Sequence, residues 1–105
     1  TLLRILGIVI LAPIAEELMF RGFLLSRLLN KKINPHLAIA IQAILFVLLH
    51  SFAYRNDLSA KISIVQSFID ASLYGYARYH TKSILTPITM HMTGNSIALL
   101  EKFIG

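Results

Sequence analysis

Apolar residues along the chain fall into four segments that are separated by short polar links. The links read NKKIN, YRNDLS and HTKS, and each segment is near the about 20 residues that span the hydrocarbon core of a bilayer. Helix is the expected conformation, because backbone groups within lipid must be paired internally. The pattern predicts a single all-α domain over residues 1–105, an integral membrane bundle of about four transmembrane helices. The segments cover approximately residues 2–29, 35–52, 60–79 and 83–103.

A soluble four-helix bundle is the alternative for such a pattern. Each helix of a soluble bundle should carry a polar stripe on its solvent face. Residues 5–14 carry no such stripe, and the run LAIAIQAILFVLLH of the second segment contains only one polar side chain before its final histidine, Gln42. The pattern therefore favours helices that contact lipid.

The composition supports the same interpretation. Charged residues make up 14% of the chain, against about 25% in soluble proteins. A net charge of +5 raises the possibility of nucleic-acid binding. The basic residues mostly flank the apolar segments, however, as they do at membrane boundaries, so lipid is the expected partner and nucleic acid is not. The chain begins within an apolar run, without a methionine, and we expect a fragment of a longer protein of a prokaryotic cell membrane.

The first segment contains the run LAPIAEELMFRG, in which three ionisable residues follow Pro13. Such residues cost about 2.5–3.5 kcal/mol each within a membrane. Glu17 and Arg21 are four residues apart, so they share a helix face and can form an ion pair. Glu16 points about 100° away and has no basic partner on its own helix, which makes it a candidate for proton transfer. Pro13 is expected to kink the helix just before the glutamates.

Polar residues at matching depth occur on two other segments. His50 lies at the end of the second segment, four residues after Phe46, and His91 and Asn95 are four apart on the fourth segment. With helices that alternate in direction, Glu16, His50, His91 and Asn95 fall within about one helical turn of the same depth. The sequence therefore predicts that they meet in one pocket.

The remaining polar residues and several glycines have structural interpretations. Asp70 falls near mid-depth on the third segment, where it either faces the cavity or bonds to a neighbouring helix, and we favour the second. His36 and His80 are both expected to lie at membrane interfaces. Glycines permit close helix approach, a role expected of Gly22, Gly75 and Gly94.

A glutamate, two histidines and an asparagine around one pocket suit the hydrolysis of an acyl bond. A Glu–His pair can deprotonate a water, and His and Asn side chains can donate hydrogen bonds to the resulting oxyanion. The absence of cysteine and of a nucleophile-elbow serine argues against a covalent intermediate. Two alternatives stay open. Glu16, His50 and His91 could bind zinc, although the chain lacks HExxH, or the buried polar groups could serve only to join the helices of a non-enzymatic bacteriocin-immunity or scaffold protein.

Three short motifs resemble those of a known family. EELMFR (Glu16–Arg21) is similar to its EExxxR motif, FVLLH (Phe46–His50) to FxxxH, and HMTGN (His91–Asn95) to HxxxN. This is the CPBP family of CAAX proteases and bacteriocin-processing proteins, also called the abortive-infection family. The three motifs occur in order on separate apolar segments, so the resemblance is specific and covers nearly the whole chain.

The resemblance implies an intramembrane glutamate endopeptidase similar to the Rce1-type prenyl endopeptidases. Carried over by motif, Glu16 would be the catalytic carboxylate and His50 would help it to activate water, while His91 and Asn95 would form the oxyanion site. No metal or other cofactor is implied, and the substrate would be a membrane-associated peptide or protein that is prenylated or bacteriocin-like. The motif residues expected to support the geometry are Glu17, Arg21 and Phe46.

Overall fold

The computed structural model describes residues 1–105 as four helices without any strand, which confirms the all-α prediction. A short 3₁₀ turn, Ser51–Tyr54, precedes the third helix. The second helix ends four residues earlier than the second apolar segment. In chain order the helices are α1 (residues 2–30), α2 (Pro35–Leu48), α3 (Leu58–Thr81) and α4 (Leu85–Ile104).

Helix α1 alternates between α-helical and π-helical stretches. The α-helical stretches are Leu2–Leu6, Ala12–Glu17 and Leu25–Asn30, and the π-helical ones are Gly7–Leu11 and Leu18–Leu24. The residues at the junctions keep right-handed helical torsion angles, so the chain stays helical throughout. The first wide turn ends just before Pro13, where the ring leaves one backbone carbonyl without its usual donor. The second follows the two glutamates directly and contains Arg21.

Local signals at the helix ends agree with the sequence. The Asn34 side chain caps α2 and Pro35 occupies its first turn, where a missing N–H costs nothing. Asp57 caps α3, and its hydrogen bond from the Arg55 guanidinium lowers the pKa of that carboxyl below its usual value. Lys82 ends α3 in the left-handed conformation, with φ of 59°.

The closest helix contact joins α2 and α3. A Cβ added at Gly75 would lie 2.8 Å from Gln42 Nε2 and 3.0 Å from Ile39 Cγ2, so glycine is needed for this approach. Gln42, the polar side chain in the apolar run of α2, is fully buried. Its amide donates to the carbonyl of Ala71 on α3 at 2.9 Å. Phe20 of α1 and Phe46 of α2 pack edge-to-face beside this contact.

The exterior of the bundle is strongly apolar. Only 17 of the 105 residues are buried, and large hydrophobic side chains are exposed on every helix. No helix, however, has both the length and the mean hydropathy of a membrane span, so the four predicted transmembrane helices are not found as such. Helix α2 has 14 residues, the stretches of α1 have five to seven, and α3 carries charged side chains along its 24 residues.

Candidate active site

The four residues predicted to meet lie around one cavity. Glu16 of α1, His50 after α2, and His91 and Asn95 of α4 all line a space of about 220 Å³. The helices run in alternating directions, so positions far apart in sequence reach the same level. The other lining residues are Phe46, Ser67, Asp70 and Tyr74.

The Glu16 carboxylate lies between the two histidine rings. Its Oε2 atom is 3.3 Å from His50 Nε2, and its Oε1 atom is 3.7 Å from His91 Nε2. The side chains of Glu16 and His50 are 28% and 31% exposed, whereas that of His91 is 8% exposed. The carboxylate is therefore open to the cavity while it faces both rings.

His50 is oriented by the end of α2. It lies just beyond the helix in an extended conformation, and its Nδ1 is 2.6 Å from the carbonyl oxygen of Phe46. A carbonyl only accepts hydrogen bonds, so Nδ1 is the donor. The other ring nitrogen, Nε2, is thereby directed towards Glu16. The Phe46 ring, 4.6 Å from the His50 ring, also limits its rotation.

His91 is oriented in the same manner by a carboxylate. Its Nδ1 lies 2.7 Å from Oε2 of Glu17, which is fully buried. The Tyr74 ring stacks on the imidazole with centroids 5.2 Å apart. Nδ1 therefore donates to Glu17, and Nε2 faces the cavity and Glu16. A carboxylate that orients a histidine in this way also stabilises the imidazolium form.

The predicted ion pair between Glu17 and Arg21 is present, with Nη1 and Oε2 2.9 Å apart and both side chains fully buried. Arg21 also donates through Nη2 to the Ala71 carbonyl of α3 at 3.1 Å. Its guanidinium lies 5.0 Å from the centroid of Phe46 and 5.2 Å from that of Tyr74. The pair thus joins three helices. No pattern in the sequence indicated that Glu17 also accepts from His91.

The hydrogen-bond pattern constrains the protons of the site. Because Nδ1 is the donor in both rings, a neutral His50 and a neutral His91 each turn a lone pair towards the Glu16 carboxylate. Two lone pairs and a carboxylate repel one another unless a proton lies between them. A proton placed between Glu16 and His50 would instead form a hydrogen bond, so the arrangement suits proton transfer.

Asn95 connects the fourth helix to the first. Its Nδ2 donates to the carbonyl of Ile8 at 3.0 Å. This carbonyl lies in the π-helical stretch before Pro13, where the helix leaves backbone acceptors free. A primary amide has two N–H groups, so the second stays available to a ligand in the cavity.

Helix α3 contributes a wall that the sequence did not predict. Ser67, Asp70 and Tyr74 are spaced by three and four residues, so they share one helix face, and all three line the cavity. Of the two interpretations of Asp70, the favoured bond to a neighbouring helix is not found, and the residue lines the cavity as the other interpretation expected. His36 and His80 lie outside the cavity, and the His36 ring contacts the hydroxyl of Tyr76 at 2.7 Å.

The residues of the zinc alternative do come close together, but not as a metal site. No group of three or more His, Cys, Asp or Glu side chains has an arrangement that could hold a metal ion.

Comparison with known proteins agrees with the three motifs. Residues 1–97 match the family model described as type II CAAX prenyl endopeptidase Rce1-like. The chain is 32% identical over 100 residues to an uncharacterized 24.3 kDa protein of Escherichia coli, an alignment that covers 94% of this chain and 44% of that protein. The chain thus spans less than half the length of this relative, and no solved structure matches it. Since the family model covers nearly all of the chain and contains all three motifs, the chain belongs to the Rce1-like family of type II CAAX prenyl endopeptidases.

Proposed function

We propose that this chain carries the catalytic core of an intramembrane endopeptidase in which Glu16 and His50 activate a water. The observation that carries the proposal is the position of the Glu16 carboxylate, open to the cavity and between the Nε2 atoms of two oriented histidines. Such a group can take a proton from water and return it later in the reaction. The family match supports peptide hydrolysis as the reaction class.

In the first step, the water oxygen attacks the carbonyl carbon of the scissile peptide bond while Glu16 takes a proton from the water. His50 stabilises this proton through its Nε2 atom, 3.3 Å from the carboxylate. The negative charge that forms on the carbonyl oxygen needs hydrogen-bond donors. The free N–H of Asn95 supplies one. His91 supplies another from Nε2 when it is protonated, a form that Glu17 stabilises at Nδ1.

In the second step, the tetrahedral intermediate collapses and the C–N bond breaks. The proton held by Glu16 passes to the leaving nitrogen, which departs as an amine, and the other product is a carboxylic acid. The Glu16–His50 pair then returns to its starting state. No covalent bond to the protein forms, in agreement with the absence of cysteine and of a nucleophile-elbow serine.

The proposed location is a membrane, and the proposed substrate is a membrane-associated peptide or protein with a prenylated or bacteriocin-like segment. The exposed hydrophobic residues on all four helices form a surface suited to lipid or to further helices. Retention of the protein in the membrane pellet during alkaline carbonate extraction would support this location. Release into the supernatant with an intact fold would contradict it.

The function is tested with Glu16→Gln, which keeps the side-chain shape and removes the base. We expect the rate of cleavage of a prenylated C-terminal peptide to fall by about 10²–10⁴-fold, the usual contribution of general acid–base catalysis. Glu101→Gln, at an exposed position near the end of α4, is the matched control and should keep the parent rate. Full cleavage by a folded Glu16→Gln protein would overturn the mechanism. Bacteriocin protection that persists in this variant would favour the non-enzymatic alternative.

A further inference from the structure

Asp70 lines the cavity, but the proposed mechanism assigns it no role. Its carboxylate lies on the α3 wall and forms neither a hydrogen bond nor an ion pair within the chain. It is exposed to the cavity and shares its helix face with Ser67 and Tyr74.

The other polar groups of the motifs in this cavity are already engaged. His50 donates to the Phe46 carbonyl and His91 to Glu17, while the Asn95 amide donates to a backbone carbonyl of α1. Glu16 faces both histidines. Of these residues only His91, in its protonated form, offsets the charge of Asp70.

No lysine or arginine lines the cavity either. The nearest guanidinium of the core is that of Arg21, which is fully buried and paired with Glu17. Two carboxylates, Glu16 and Asp70, thus face a space in which the only cations are histidines that happen to be protonated. An ionised group in a membrane protein costs about 2.5–3.5 kcal/mol and is normally retained together with a partner. For Asp70 the cavity supplies no lysine or arginine as that partner.

We propose that Asp70 determines substrate specificity by binding a cationic side chain, lysine or arginine, of the peptide that enters the cavity. The proposal rests on the function proposed above and adds to it the charge of the preferred substrate. A cavity of about 220 Å³ is smaller than the about 300–1,000 Å³ of sites for drug-sized ligands, so it suits a peptide segment with one such side chain. The cationic head would pair with Asp70 while the adjacent peptide bond lies against Glu16.

Binding, rather than cleavage, gives the direct test. Each peptide in a series of farnesylated decapeptides carries a single lysine, at a different position around the expected cleavage site. A matched series carries norleucine in place of that lysine. Both series are titrated against the Glu16→Gln protein in lipid nanodiscs, so that no peptide is consumed. We expect one lysine position to bind about tenfold more tightly than its norleucine counterpart. In the double variant Glu16→Gln/Asp70→Asn, this preference should disappear, while the norleucine peptides bind as before.

A charge reversal makes the test sharper. Asp70→Lys should favour a glutamate at the same peptide position over lysine, whereas Glu101→Gln should leave the lysine preference unchanged. Equal loss of affinity for lysine and norleucine peptides in Asp70→Asn would indicate a structural role and overturn the proposal, as would the lack of a lysine preference at every position. Because binding is measured on a protein without the Glu16 base, failure here is distinct from failure of the hydrolytic mechanism.

Discussion

His91 Nδ1 and Glu17 Oε2 lie 2.7 Å apart although 74 residues separate them in the chain. The same oxygen atom also accepts from Arg21, which in turn donates to the backbone of α3. One carboxylate thus orients a ring of the candidate active site and neutralises the buried cation that joins α1 to α3. The two adjacent glutamates of the first motif have separate tasks, because Glu17 faces the protein interior and Glu16 faces the cavity.

The buried position of Glu17 predicts a large effect on stability. In Glu17→Gln, Arg21 keeps its charge within the core but loses its counter-ion. Removing one partner of a buried ion pair costs about 3–5 kcal/mol, and we expect a loss of this size in the free energy of unfolding. Denaturant-induced unfolding in detergent measures it. Glu16→Gln, at a partly exposed carboxylate, should unfold close to the parent protein.

Equal stability of the two glutamine variants would contradict this division of tasks. Arg21→Gln provides a second comparison, because it removes the cation and leaves Glu17 with His91 alone. The double variant Glu17→Gln/Arg21→Gln should lose less free energy of unfolding than the two single variants lose in sum, because the two residues act as one unit.

Helix contact at Gly75 yields a prediction that does not depend on the chemistry. In Gly75→Ala the new methyl group meets the Gln42 amide and Ile39, and Gln42 cannot move without giving up its hydrogen bonds to backbone carbonyls. Overpacking of this kind costs about 1–3 kcal/mol. Gly7→Ala is the matched control, because no atom lies within 4 Å of the added carbon. A lower melting temperature for Gly7→Ala than for Gly75→Ala would show that the contact at Gly75 is looser than described.

Zinc content separates the two catalytic hypotheses. We expect the purified protein to contain no stoichiometric zinc and to cleave its peptide at an unchanged rate after dialysis against a strong chelator. The reason is that no three His, Cys, Asp or Glu side chains are placed so that they could hold a metal ion. Elemental analysis together with a rate measurement checks this. Activity that vanishes with the chelator and returns with added zinc would favour the metalloprotease.

The four apolar segments and the polar links between them were enough to predict four helices and their order. Spacing of four residues correctly indicated the Glu17–Arg21 pair, and depth along alternating helices correctly placed Glu16 near His50, His91 and Asn95. These predictions succeed because they depend on helix pitch and length, which are nearly constant. Their catalytic roles stay predictions.

The sequence pattern could not predict how each helix is rotated about its own axis, and so which of its faces points to the cavity. The direction in which α3 faces decides whether Asp70 meets a neighbouring helix or the cavity, and that direction is set by the Gly75 contact and by two donors on the Ala71 carbonyl. The bond between His91 and Glu17 has the same origin, since it requires two faces of different helices to match. The long apolar segments likewise suggested membrane spans, but no helix is both long and apolar enough to be one, since α2 is short and α3 carries charged side chains.

The shared oxygen of Glu17 also bears on how this protein could evolve. A change that alters the basicity or angle of His91 through Glu17 would simultaneously loosen the ion pair at the centre of the bundle, so the motif residues offer little room for gradual adaptation. Ser67 and Asp70 of α3 border the same cavity and take no part in the contacts of Glu17, His91 and Arg21 described above. We therefore expect new substrate preferences to arise from substitutions in α3, with the three motifs unchanged.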